Sequence, residues 1–372
     1  MRIHLLLLIF VFFFSCSHEK NPLTKALESD KVNIRRVMDK VGQHEVQIKL
    51  TTIDRVEGEV KMEDFEFRLD EDNYFYPAST VKFLLSVLVL EALSEDELLT
   101  IDTPFKVEGD SVAVTFRQQI RDIFAVSSND TYNRLFEFYG KDKIEARMKT
   151  LGVNPIRISH RLSTENAYDL KTKSTSFYKG DSVFYKKESV MNEEIQKLEL
   201  EGIKKGKGYY ADGKLVEEPF DFSERNYLPI STLHGLMKRV MFPEKFEEEE
   251  RFKLSEENRR FLIESMKLYP KDEGYSLPEY YDSYGKFFLF GDNKEKIPEH
   301  FEMYNKVGYA YGYLTDCAYV VDKKAGIEFI LTACIHVNEN GIFNDDVYEY
   351  EEVGIPFLAE LGREILHQIS AQ

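Results

Sequence analysis

Residues 77–93, PASTVKFLLSVLVLEAL, decide the fold. The apolar side chains of this stretch fall on every side of a helical wheel, which is typical of a helix buried in the core of a large domain. Pro77 and Ser79 suit a helix N-terminus, so the pattern predicts a helix over Ser79–Leu93. Lys82 stands out in this helix, because an unpaired charge among apolar neighbours is costly.

Ser79 and Lys82 form a Ser-x-x-Lys pair, which places the two side chains about 60° apart on one helical face. A serine hydroxyl is a weak nucleophile until a neighbouring base takes its proton. A desolvated lysine with a lowered pKa can act as that base. The pair occurs often by chance, so it predicts a nucleophile only together with further motifs.

Two further motifs follow along the chain. Ser127-Ser128-Asn129 stands between two helical patterns, where the Ser127 hydroxyl can relay a proton and the Asn129 amide can orient a lysine or a substrate carbonyl. The alternative is that these residues only cap the next helix. Lys306-Val307-Gly308 lies in the first of three strand-like runs near the C-terminus. There Lys306 offers a positive charge and Gly308 allows close approach of a substrate backbone, unless Lys306 is an ordinary exposed strand lysine.

The order and spacing of the three motifs match the signature of serine β-lactamases and penicillin-binding proteins. Over roughly residues 32–370 the chain resembles the class A β-lactamase catalytic domain. The resemblance implies an α+β fold with an antiparallel sheet made by N- and C-terminal strands (about 32–75 and 300–370) and flanked by terminal helices. An all-helical subdomain is expected over about 76–299.

The resemblance also implies a role for each motif residue. Ser79 would be the acylated nucleophile, Lys82 a general base or proton relay, and Ser127 the group that passes the proton to the leaving atom. Substrate would be bound by Asn129, Lys306 and Gly308. The backbone N–H groups of Ser79 and Tyr309 would form the oxyanion hole.

The chain departs from the family pattern at several positions. Ser128 replaces the usual Asp, and Val307 replaces a Thr or Ser that offers a hydroxyl to the substrate carboxylate. No Arg follows in the final strands to help, so we expect weaker binding of a penicillin-like anion.

The deacylating glutamate is also missing from its usual place, two residues after an Arg, where Ser163 follows Arg161. Glu165 comes late, and it can activate water only if the loop is rebuilt. Without a replacement, we expect slow hydrolysis of the acyl-enzyme. The irregular segment 157–226 is long enough that it should carry local structure.

The N-terminus, MRIHLLLLIFVFFFSCS, is typical of a secretory signal, and its ending resembles a lipoprotein signal with Cys16 as the lipidated residue. We therefore expect residues 1–16 to be removed or processed, a polar tether over 17–31, and a lipid-anchored protein in the periplasm or at the outer membrane. Plain secretion is the alternative. The lipid would be the only link to a membrane.

The remaining composition narrows the possible partners. A net charge of −17 argues against nucleic-acid binding, and no His pair or nucleotide-binding motif indicates a metal or cofactor. In the predicted hairpin, Cys317 and Cys334 are too far apart to form a disulfide bond. We therefore expect both to be buried free thiols. We expect a monomer. We also expect Tyr304, Tyr309, Tyr311 and Tyr313 to line the edge of the cleft.

The leading hypothesis is therefore a serine hydrolase that opens β-lactams through a Ser79 acyl-enzyme. A D-alanyl-D-alanine peptidase or esterase with the same residues is the near alternative. A catalytically silent lipoprotein that holds peptidoglycan stems or a partner belongs to another class. In the enzymatic hypotheses the substrate is a small-molecule or peptidoglycan-derived acyl compound.

Overall fold

The computed structural model of the chain describes residues 21–371. The predicted signal sequence and Cys16 lie outside the described residues. Within residues 21–371, the α-helices are α1 (Pro22–Leu27), α2 (Val32–Met38), α3 (Val81–Glu95), α4 (Phe116–Val126), α5 (Asn129–Tyr139), α6 (Lys141–Thr150), α7 (Ile230–Met241), α8 (Glu256–Met266) and α9 (Ile355–Ser370).

The strands group into one large and three small sheets. They are β1 (Gln47–Val56), β2 (Glu59–Phe67), β3 (Pro104–Val107), β4 (Val114–Thr115), β5 (Thr175–Lys179), β6 (Ser182–Lys187), β7 (Lys204–Lys205), β8 (Gly208–Ala211), β9 (Lys214–Val216), β10 (Phe220–Asp221), β11 (Phe301–Ala310), β12 (Tyr313–Asp322), β13 (Ile327–His336) and β14 (Ile342–Phe343).

The large sheet joins the two ends of the chain, as the sequence predicts. Its order is β11-β12-β13-β1-β2, and every neighbouring pair is antiparallel. One face packs against α1 and α9, and the other packs against α7 and the helices around α3. The predicted mixed architecture of a terminal-strand sheet, terminal helices and a helical part is therefore confirmed.

Helix α3 is the centre of the helical part. Twelve of its 15 residues are buried, which confirms the prediction from its all-round apolar pattern. The part expected to be all-helical also carries most strands of the three small sheets, including the four-stranded order β4-β3-β5-β6. The long segment 157–226 thus contains strands of its own: β5 pairs with β6 and with β3, and β8 pairs with β9.

The prediction of a polar tether over residues 17–31 is wrong for residues 21–31, which the structure describes. Helix α1 begins with Asn21, whose side-chain oxygen accepts a hydrogen bond from the Thr24 N–H at 2.7 Å. Leu23 and Leu27 are buried against the core beside α9. Two apolar residues at helical spacing thus dock a segment whose overall composition is polar.

The cysteines occupy neighbouring strands without facing each other. Cys317 pairs with Thr332, and Cys334 pairs with Thr315. Both thiols are free and buried, which confirms the prediction.

Candidate active site

The turn that carries Ser79 lies between the helical part and the large sheet. Ser79 sits in a 3₁₀ turn, Ala78–Thr80, and Lys82 is in the first turn of α3. The helix therefore begins later than the sequence predicts. Ala78 adopts a left-handed φ of 46°, which costs an L-residue about 1–2 kcal/mol. The surrounding packing holds this strained turn in place.

Gly308 explains how the turn meets strand β11. A Cβ on Gly308 would stand 2.7 Å from the Pro77 carbonyl oxygen and 2.8 Å from the backbone nitrogens of Ser79 and Thr80. The glycine is therefore required by contact between two parts of the protein itself. This close contact also brings the Ser79 N–H beside the backbone that leads into Tyr309.

Lys82 is fully buried, and within residues 21–371 it has no carboxylate partner. Its Nζ donates to the Asn129 Oδ1 at 2.7 Å and to the Ser127 carbonyl oxygen, and it lies 3.3 Å from the Ser127 hydroxyl. Burial, together with the charge of Lys306, holds the pKa of Lys82 well below its usual value. A neutral amine has two N–H bonds, so these two carbonyl acceptors leave its lone pair available for a hydroxyl proton.

Ser127 is held between the two lysines. It ends α4 with a left-handed φ of 56°. Its hydroxyl accepts a hydrogen bond from the Lys306 Nζ at 2.9 Å. Lys306 is 2% exposed, and burial lowers its pKa to about 7, opposed by the charge of Asp316 and aided by that of Lys286. The hydroxyl therefore links the helical side of the site to strand β11.

Asn129 connects this cluster to the loop after Arg161. Its Nδ2 donates to the Ser163 hydroxyl at 3.0 Å, while its Oδ1 binds Lys82. Ser163 has a left-handed φ of 50°. A serine hydroxyl thus lies beside the Asn129 amide.

Glu165 does not reach the site. Its side chain is exposed, and it lies outside the residues that line the cavity at Ser79. The rebuilt loop that would let Glu165 activate water is therefore not observed. The loop is instead folded inwards at Arg161, which is 2% exposed and pairs with the buried Glu137 at 2.6 Å. Three backbone carbonyls of the loop also accept from the Arg161 guanidinium.

The cavity at Ser79 has a volume of about 290 Å³. The motif residues Ser79, Ser127, Asn129 and Lys306 line it together. No Asp, Glu or His is among the lining residues that the structure describes. The walls therefore supply positive charge and hydroxyl groups without a carboxylate base.

The sequence does not predict the buried polar network behind Lys306. Asn305 donates to Asp316 at 2.9 Å and accepts from Lys286 at 2.8 Å. Burial raises the pKa of Asp316 to about 6 and lowers that of Lys286 to about 8. The pairing of Val307 with Asp316 across β11 and β12 places this carboxyl beside Lys306, but no local pattern in the sequence marks it.

Of the four tyrosines expected at the cleft edge, only Tyr309 lines the cavity, and it is 53% exposed. Tyr304 and Tyr313 are buried, and Tyr311 belongs to a separate aromatic cluster. Tyr284, from the irregular segment before β11, completes the wall instead. Tyr304 lies on the opposite face of β11 from Tyr309, whereas Tyr311 and Tyr313 lie beyond the end of β11, in the turn and in β12.

Comparison with protein-family models finds a match for part of the chain. Residues 31–189 match the sequence model of the Beta-lactamase enzyme family. The matched segment is similar to that family. It contains Ser79, Lys82, Ser127 and Asn129, whereas Lys306 lies beyond the match and reaches the site through the fold.

Solved structures extend the likeness over nearly the whole chain. A β-lactamase from Xanthomonas campestris pv. campestris is similar with a TM-score of 0.53 and 14% identity, covering 92% of this chain and 97% of that one. A β-lactamase from Sphaerobacter thermophilus has a TM-score of 0.51 and 14% identity, covering 93% and 95%. L2, solved in complex with relebactam, has a TM-score of 0.52 and 15% identity, covering 94% and 98%. At these identities the likeness shows the β-lactamase fold.

A comparison with curated proteins finds no match. Among residues 21–371, none of the helices combines the length and hydropathy needed to cross a bilayer.

Proposed function

We propose that this β-lactamase-family protein is a serine hydrolase that β-lactams acylate at Ser79 and from which the acyl group leaves slowly. The observation that carries the proposal is the contrast at Asn129. Its Oδ1 accepts from the buried, carboxylate-free Lys82, whereas its Nδ2 donates to Ser163. The first contact supports acylation, and the second leaves hydrolysis without a base.

Acylation follows from the contacts of Lys82 and Ser127. Neutral Lys82 takes the proton of the Ser79 hydroxyl as Oγ bonds to the lactam carbonyl carbon. The carbonyl oxygen then carries the negative charge, beside the N–H groups of Ser79 and Tyr309. When the C–N bond breaks, Ser127 gives its proton to the nitrogen, and the protonated Lys82 restores it across 3.3 Å.

Substrate binding rests mainly on Lys306. Its ammonium group lies against Ser127 at the cavity wall, where it can bind the carboxylate of a penicillin-like compound. Val307 adds no hydroxyl, so this anion loses one hydrogen bond. The Asn129 amide is the candidate partner for the acyl side-chain amide.

Release of the acyl group needs a water molecule made nucleophilic by a base. Ser163 is uncharged, and its hydrogen-bond partner is the Asn129 amide, which is not a base. We therefore expect the acyl-enzyme to persist. This persistence also suits the second candidate function, a D-alanyl-D-alanine peptidase or esterase whose acyl-enzyme waits for another acceptor.

The N-terminal sequence supports a further proposal about location. We propose export, with a lipid on Cys16 as the membrane anchor, so that the site meets peptidoglycan-derived substrates outside the cytoplasm.

Intact-mass measurement after incubation with benzylpenicillin tests the proposed function. We expect a stoichiometric adduct of one penicillin mass that Ser79→Ala abolishes and that Ser111→Ala, at an exposed serine, preserves. Rapid turnover without an adduct would favour an efficient β-lactamase. No adduct and no turnover would overturn the nucleophile assignment for β-lactams and favour a silent binding protein.

A further inference from the structure

A cation without an anionic partner lies in an aromatic cluster next to the Ser79 cavity. The rings of Tyr168, Phe220 and Tyr311 stand 5.3, 5.3 and 5.6 Å from the Arg225 guanidinium carbon. Within residues 21–371, the Arg225 guanidinium donates no hydrogen bond and forms no ion pair. Ring faces attract the cation but leave its in-plane N–H donors unused.

His160 is a second unsatisfied group in the same cluster. It is 2% exposed, and its Nδ1 lies 2.6 Å from the Arg161 carbonyl oxygen. Since a carbonyl accepts, Nδ1 carries the proton. Burial lowers the pKa of His160 to about 4, so the ring is neutral and Nε2 is a bare acceptor. That acceptor is buried and has no partner among the described residues.

Three connections bring these groups next to the nucleophile. Tyr76 precedes Ser79 by three residues, and its ring stacks parallel to that of His160 at 6.4 Å. Tyr311 follows the cavity residue Tyr309 by two positions and meets Tyr76 at 5.0 Å. Tyr168, 38% exposed, contacts His160 at 5.1 Å.

The loop that carries His160 and Tyr168 also carries Ser163, which reaches Asn129 in the site. This loop therefore connects the cluster to the site, whereas Lys306 lies on β11. A substrate that reaches both must extend across Ser79.

We propose that Arg225 binds a carboxylate on the acyl side of the substrate, and that His160 Nε2 accepts a hydrogen bond from an N–H or O–H elsewhere on the same acyl side chain. A guanidinium binds a carboxylate through two parallel N–H···O bonds, and one cation balances one such anion. The preferred substrate would thus carry two carboxylates, one for Lys306 and one for Arg225. This proposal rests on the Ser79 acyl-enzyme proposed above.

Carbenicillin and benzylpenicillin are a matched pair for the test, because they differ only by a carboxylate on the acyl side chain. The acylation rate constant of each is measured by intact mass in the unaltered protein and in Arg225→Met, which keeps an apolar chain in the aromatic cluster. We expect the carbenicillin-to-benzylpenicillin rate ratio to fall at least tenfold in the variant. A ratio that does not change would overturn the proposal, even if both rates fall together through a structural effect.

A binding measurement separates this proposal from the acyl-enzyme itself. In Ser79→Ala, which cannot be acylated, calorimetry compares phenylmalonic acid monoamide with uncharged phenylacetamide. We expect the acid to bind at least tenfold more tightly, and this preference to vanish in Ser79→Ala/Arg225→Met. Equal binding of the two compounds to Ser79→Ala would overturn the Arg225 assignment. Because that comparison needs no change at Arg225, it stays decisive if Arg225→Met does not fold.

Discussion

The two halves of the site differ in the chemistry they supply. On the helical side and β11, the buried Lys82 and Lys306 both contact the half-buried Ser127 hydroxyl, and burial lowers the pKa of both lysines. On the loop side, Ser163 offers only a hydroxyl and Glu165 faces solvent. This contrast supports the proposal that Ser79 is acylated readily and that the acyl group is hydrolysed slowly.

Removing the Lys82 amine from the helical side should have the largest effect on the acylation rate. Lys82→Met leaves Ser79 without a proton acceptor, so we expect the acylation rate to fall by about 1,000-fold, within the range of general base catalysis. Intact-mass time courses with benzylpenicillin measure this rate. Lys106→Met, at a lysine on β3 away from the cavity, is the control. An unchanged rate in Lys82→Met would contradict the role of the lysine.

Adding a carboxylate to the loop side should speed the decay of the acyl-enzyme. Ser163→Glu places a carboxylate beside Asn129, and we expect the acyl-enzyme to decay about 100-fold faster. Decay of the mass adduct after removal of free penicillin gives the rate. Glu165→Gln is the matched control, since an exposed carboxylate outside the cavity should not affect decay. Faster loss of the adduct in the unaltered protein than in Glu165→Gln would show that Glu165 acts after all.

The contact between the turn and the sheet should matter less, but measurably. In Gly308→Ala the added Cβ must displace backbone atoms at 2.7–2.8 Å, which moves Ser79 relative to Tyr309. A shift worth about 1.4 kcal/mol in the transition state would lower the acylation rate about tenfold. Gly42→Ala, with open space around its Cβ position, is the control. If acylation in Gly308→Ala stayed at the rate of Gly42→Ala, the turn would not depend on this contact.

A smaller effect is expected from pH. Lys306 has a pKa of about 7, so its protonated fraction, and with it the attraction for a substrate carboxylate, is lost as pH rises through that value. For a single group of this pKa, the second-order acylation rate should fall about fivefold between pH 7 and pH 8. A penicillin methyl ester has no carboxylate for Lys306 to bind, and its rate should not fall over this interval. Parallel profiles for acid and ester would exclude Lys306 as the carboxylate partner.

The sequence predicts the elements of the fold well because their patterns are local. The buried helix α3 and the terminal strands follow from periodicity, whereas the three motifs are assigned through the resemblance to the β-lactamase signature. Helix α1 is missed because only Leu23 and Leu27 mark it as a docked helix within a polar stretch. Docking against α9 decides its structure, and that contact joins opposite ends of the chain.

The parts of the site that escape prediction depend on contacts between distant segments. Arg161 meets Glu137, Asp316 meets Asn305, and Arg225 meets the ring of Tyr168 only after folding. The sequence predicts that Gly308 allows a substrate backbone to lie close to the strand. Its close contact is with the backbone of the Ser79 turn rather than with a substrate.

The most direct test of the central claim measures formation and decay of the acyl-enzyme in one sample. Benzylpenicillin is added in excess, the free compound is removed once the adduct is complete, and the mass of the intact protein is followed over time. We predict that the adduct on Ser79 forms at least a hundredfold faster than it decays. Decay as fast as formation would contradict the account, because the loop side would then hold a working base.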